Sequence, residues 1–125
     1  MKSLQLTDDD TGYGSALICP VCKEPNLHHT SVHVWERDTE DSDKGRYTRA
    51  DGASSAVYSS APMEGNPSPR RNGMTIMFFC EHCHLPEPPY SNPAHQPPEY
   101  GLHIIQHKGA TYAQWDSSIK GASHA

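Results

Sequence analysis

Polar and apolar residues along the chain form short stretches, and where these are regular they alternate with the period of two that marks a half-buried strand. Thr30–Arg37 (TSVHVWER) places Val32 and Val34 on one side and His33 and Trp35 on the other. Met74–Phe79 (MTIMFF) is apolar on both faces, which predicts a central strand. Leu102–His107 and Ala110–Trp115 are joined at Lys108-Gly109 and predict a β-hairpin. Weaker strand signals at Arg46–Thr48 and Ala56–Tyr58 surround an Asp51-Gly52 turn and suit a second hairpin. Ala16–Ile18 adds a short apolar approach. Asp38–Gly45 (DTEDSDKG) reads as an acidic loop, and Ala61–Gly73 (APMEGNPSPRRNG) as turn chemistry throughout. His84–Gly101 holds six prolines in eighteen residues and predicts a loop or polyproline-like arm. No ten-residue segment has helical periodicity. The pattern predicts a small, mostly-β, antiparallel protein with long loop insertions.

Composition says how such a sheet must be held. Of 125 residues, 34% are hydrophobic, and Leu, Ile, Val and Phe together number only seventeen. That is too little for a large close-packed core, so the fold needs a staple. One domain, 16–116, is expected, with 1–15 as a flexible lead and 117–125 as a flexible tail. No apolar run approaches the roughly 18 residues of a membrane span, and the N-terminus lacks a signal-peptide core, so a cytoplasmic protein is expected.

The staple is visible in the cysteines. All four fall into two CxxC pairs, Cys19-Pro-Val-Cys22 and Cys80-Glu-His-Cys83. A CxxC at a tight turn can aim both sulfurs at one ion, and two such knuckles complete a tetrahedral thiolate shell suited to one structural Zn2+. A redox dithiol would need one CxxC opening a helix, and neither pair is followed by one. Fifty-seven residues separate Cys22 from Cys80, so the knuckles bracket a long excursion. Four thiolates close the shell and leave no position for substrate, which points to stabilisation and away from catalysis. His82 and His84 flank the second knuckle, as substitute ligands or as exposed loop histidines.

The order HHTSVHVWERDTED, GNPSPRRNGMTIMFFCEHC and IIQHKGATYAQW resembles an uncharacterised family of small zinc-ribbon proteins of bacterial and bacteriophage genomes. The matching positions are Cys19, Cys22, His28, His29, Gly65–Ser68, Arg70, Arg71, Cys80, Cys83, Gln106–Gly109 and Trp115, within about residues 17–116. The resemblance implies a zinc-ribbon fold and a metal, with no settled activity. The 84–101 arm departs from it, being longer than the family's link.

Charge narrows the partner. The net charge is −5, against a generic basic nucleic-acid binder, and residues 1–65 carry six Lys/Arg against eleven Asp/Glu. Arg70 and Arg71, in a Pro-restricted loop, either grip a phosphate or carboxylate or pair with Asp38, Glu40, Asp41 or Asp43. His107 and Lys108 sit at a hairpin tip, within reach of a phosphate or simply there because the turn needs Gly109 at positive φ. Trp35, Tyr112 and Trp115 are either a base-stacking platform or the core. His28 and His29 could build a second metal site with His33 or with a histidine of the hairpin. An HNH-type nuclease is set aside, because no histidine lies between His33 and His82 and proline follows the second knuckle. No phosphate loop, nucleophile elbow or HExxH is present.

The expectation is a non-enzymatic zinc-ribbon module, a phage or mobile-element accessory, that docks on a larger protein machine. Asp38, Glu40, Asp41, Asp43, Arg70, Arg71, His107 and Lys108 are its candidate contact residues. The alternatives are weak nucleic-acid binding through Arg70, Arg71, His107 and Lys108, and a His-based metal-dependent hydrolase. No small-molecule substrate and no membrane partner are expected.

Overall fold

The computed structural model describes residues 2–8, 12–83 and 98–119. Its strands are β1 (Lys2–Ser3), β2 (Leu27–Arg37), β3 (Lys44–Asp51), β4 (Ser55–Pro62), β5 (Gly73–Cys80), β6 (Glu99–His107) and β7 (Ala110–Trp115). Six long strands form one antiparallel sheet, and the two-residue β1 extends its edge in the order β1-β7-β6-β5-β2-β3-β4. No helix occurs among the described residues. None there could therefore cross a membrane.

The three strongest sequence signals form the middle of this sheet. β5, the MTIMFF strand, lies between β2 and β6, where a strand is covered along both edges. Both expected hairpins are present, β3–β4 around Gly52 and β6–β7 around Lys108-Gly109. At the second turn Lys108 (φ 50°) and Gly109 (φ 79°) are both left-handed, the conformation a two-residue hairpin turn demands.

Alternation and register divide the side chains between two faces. Phe78 opposes Tyr100, Ile76 opposes Leu102, and Leu102 opposes Trp115. These carry the core, in which Phe78, Tyr100, Leu102 and Trp115 are buried with Cys19 and Cys80. Phe78 meets Trp115 edge-on at a centroid distance of 5.7 Å. Full burial of a large apolar side chain contributes about 1.5–3 kcal/mol. With so few of them, the core alone leaves the fold marginal. On the opposite face His33, Trp35, Tyr47 and Tyr58 stack across β2, β3 and β4, with centroid spacings of 5.1–6.2 Å.

Several boundaries differ from the sequence reading. The lead is partly structured: Lys2–Ser3 pairs with β7, Leu6 bridges to Leu17, and Leu4 packs on the core. Leu4 stands in a polar segment that gives it no local apolar face, and packing against the core is what gives it a place. β2 starts at Leu27, three residues before the expected Thr30, because Leu27 packs under the cysteines and pairs with Cys80. A register shift between His29 and Ser31 then restores the alternation. β6 starts at Glu99, so the last three residues of the expected Pro-rich arm belong to the sheet, where Tyr100 is buried opposite Phe78. The rest of that arm, 84–97, lies outside the described residues, as does the tail from 120. Ile119, at the start of that tail, packs on the core.

Candidate metal centre

The antiparallel register brings β2's first residue beside β5's last, Leu27 against Cys80, and both knuckles therefore meet at one end of the sheet. The first is a turn: the Cys19 amide donates to Glu24 O, the Lys23 amide donates to Cys19 O, and Lys23 takes a left-handed φ of 68°. The second begins where β5 stops, tied down by the Glu81 amide donating to Asn26 O at 3.1 Å. The four Sγ atoms lie within 4.8 Å of one another. Cys19 Sγ is 3.5 Å from Cys83 Sγ, and Cys22 Sγ is 3.4 Å from Cys80 Sγ. All four thiols are free of disulfides. A cluster of four soft donors of this kind can hold a metal ion.

The electrostatics fit that use. Burial pushes the Cys19 and Cys22 thiols up, so without a cation both stay protonated. Burial acts on Cys80 too, but hydrogen bonding from Cys22 and from the His82 and Cys83 amides outweighs it and brings that thiol down. Burial, with a hydrogen bond to Cys83, raises the Tyr100 phenol, keeping it a neutral neighbour of the cluster. A cation in the cluster reverses the thiol preferences by favouring thiolate.

Among the described residues this is the only group of three or more His, Cys, Asp or Glu with converging ligand atoms. His82 is exposed and outside it, and His84 is not among the described residues. The postulated His28–His29–His33 site is not assembled. His28 contacts Glu81 at 2.5 Å and stacks on Phe79, whereas His33 is hydrogen-bonded to Ser31 and to Tyr47. The register explains this: His28 and His33 share a sheet face but lie opposite Phe79 and Thr75, four residues apart on β5, while His29 lies opposite Phe78 on the core face.

The eight candidate contact residues all gather at the other end. The 38–43 turn follows β2, Arg70 and Arg71 precede β5, and His107-Lys108 follow β6. Antiparallel pairing places these three termini together, and the Gln106 amide donates to Ser68 Oγ to join two of them. Here the choice left open for the arginines resolves toward internal pairing. Arg70 donates twice to Asp41, at 2.6 and 2.8 Å, and Arg71 reaches Glu40 at 2.5 Å. The Arg70 hydrogen bonds hold the Asp41 carboxyl below its usual range. Asp38 and Asp43 are exposed, with no ion pair among the described residues. His107 and Lys108 are exposed at their turn. Between the two loops lies a cleft of about 490 Å³ lined by Arg37, Asp38, Thr39, Glu40, Arg71, Asn72 and Gln106.

The residue that organises this end escaped the sequence reading. Arg37, the last residue of β2, donates to three backbone carbonyls: Arg71 O at 2.9 Å, Ser42 O at 2.5 Å and Ser68 O at 2.7 Å. One guanidinium thus clamps the acidic turn to the 65–72 loop. Gly73 permits the closeness, since a Cβ there would collide with Asn66 Oδ1 and sit 2.9 Å from Ser68 Oγ. The sequence offers no signal for Arg37 beyond its place at a strand end.

One further choice is settled by burial. Trp35 and Trp115 are buried and only Tyr112 is exposed, so these aromatics do not form a stacking platform. A polar line also missed from sequence runs from Thr75 to His103 (2.8 Å) and on to Asp116 (3.4 Å). Thr75 is buried, so this line braces β5, β6 and the end of β7. Comparison with protein-family models, curated proteins and solved structures finds no match to this chain, and the functional reading rests on its own geometry.

Proposed function

We propose that this chain is a non-enzymatic binding module, a zinc ribbon in the broad sense, in which one Zn2+ on Cys19, Cys22, Cys80 and Cys83 closes one end of the sheet and the opposite end docks on a larger protein. The observation that carries the reading is the convergence of four sulfurs from two segments far apart in sequence. Sulfurs of a tetrahedral zinc–thiolate shell lie about 3.8 Å apart. The contacts of 3.4 and 3.5 Å need only a slight expansion to match. Four thiolates fill that shell, so the ion acts on folding and offers no open position for chemistry.

Protein docking is favoured over nucleic-acid binding by the engagement of Arg70 and Arg71 with Asp41 and Glu40, which occupies the guanidinia that phosphates would need. The docking end carries carboxylates and guanidinia side by side, a mixed surface suited to a polar protein rim. Among the described residues, Asp38, Asp43 and Lys108 carry charges there without an ion pair.

Two measurements test this. Metal analysis of protein purified without chelator should return one zinc per chain. A photo-crosslinking residue at Thr39 should capture a discrete protein from cell extract, and one at Ala53, on the other end, should not. Saturable, salt-sensitive binding of short DNA or RNA, abolished by Arg70→Ala with Arg71→Ala, would replace this reading with the nucleic-acid alternative.

A further inference from the structure

The two edges of the sheet are unequal. On one side β1 lies along the end of β7, pairing with Gln114 and Trp115. On the other, β4 has no neighbour beyond it among the described residues. β4 reads SAVYSSAP, eight residues without a formal charge in a chain where 20% are charged. Natural edges are usually blunted by charge, shortness or a bulge. Here a bulge does part of this: Ser60 is left-handed (φ 52°) and the register with β3 shifts there. Residues 55–58 remain as a regular, uncharged edge, with every second residue directing its N–H and C=O away from β3.

Cross-strand rows on both faces stop at this edge. On the core face the row Ala113–Ile104–Met74–Val34–Thr48 ends at Val57, which is 60% exposed. On the other face the aromatic stack ends at Tyr58, 53% exposed. An adjacent strand would cover both side chains at once.

We propose that a second copy of this chain supplies that strand, β4 pairing antiparallel with β4 across a two-fold axis. A two-fold edge must be complementary to itself, and an uncharged strand meets its own copy without repulsion, although each chain carries −5 overall. A four-residue pairing makes about four backbone hydrogen bonds. It buries well below the roughly 1,200 Å² of a stable interface, so the dimer is weak, half-formed at about 100 μM.

The test is sedimentation equilibrium of the full chain, supplied with zinc, from 5 μM to 1 mM, combined with hydrogen exchange. The expected result is a monomer–dimer equilibrium in which alternate amides within 55–58 slow as concentration rises. Val57→Lys should weaken association at least tenfold. Its lysine replaces an exposed side chain, and unchanged zinc content and circular dichroism would show that the variant still folds. Tyr112→Lys, toward the opposite edge, should leave association intact. A monomer throughout the range overturns the proposal. So does a dimer that survives Val57→Lys, or one with no concentration-dependent protection at 55–58.

Discussion

The two ends of the sheet solve one problem by different means. Each must tie together chain segments that the antiparallel topology brings side by side from distant parts of the sequence. At the cysteine end the ties are four thiols, two of them raised by burial, which attract one another little until a cation binds. At the clasped end the tie is Arg37, whose charge already points at three carbonyls, with Arg70 and Arg71 closing on Asp41 and Glu40 around it. On the proposed reading, one end depends on a component from solution and on proton release. The other is complete within the chain. A domain with so small a core can therefore be sensitive to metal and pH at one end and largely indifferent to both at the other.

The largest effect should come from breaking the cysteine end. Cys80→Ser replaces a buried sulfur and leaves three donors. The loss should be on the order of 5 kcal/mol or more, enough to abolish cooperative unfolding and zinc retention together. Circular dichroism melting and metal analysis would check both. Arg37→Met should come next. It keeps the aliphatic stem but leaves three carbonyls without their donor, at about 2–4 kcal/mol, while the protein still binds its full complement of metal. A variant that lost zinc as well would show that the two ends are not independent.

Between the ends, His33 gives a smaller effect with a defined sign. Burial, with the nearby Arg49 charge, lowers its pKa below the ordinary 6.5. The folded state therefore holds His33 neutral in a range where the unfolded chain protonates it. Stability should fall as pH drops through about 6.5 and level off below the folded value. Comparing urea midpoints of the parent and His33→Gln across pH 5–8 isolates this contribution, which the variant should lack.

The smallest effect belongs to the ion pairs. Asp41 and Arg70 are solvent-exposed, and Asp41→Asn should move stability little, with the difference vanishing in high salt. Salt titration of thermal unfolding would check it. If it rivalled Arg37→Met, the acidic turn would be held by charge pairing and not by the guanidinium clamp.

What could be read from sequence follows from how local its causes are. The β5 strand, both hairpins and the two knuckles are written in contiguous runs, and all took their expected places. β1 is different, because Leu4 beside it acquires meaning only against a core assembled from β5, β6 and β7. The start of β6 was hidden by proline in the preceding sequence, although Tyr100 needed only a partner, Phe78, twenty-two residues away. Arg37 could not be found, since its acceptors are backbone carbonyls, which every residue carries. The four cysteines were the opposite case: rare side chains in a spacing with a chemical reason.

The central claim is that a metal holds one end and the chain alone holds the other. Its most direct test is thermal unfolding of the parent protein, purified without chelator, with and without excess EDTA, alongside its metal content. The expected result is one zinc per chain and a transition that collapses or falls steeply on chelation. Metal-free protein that melts at the same temperature with and without chelator would contradict it.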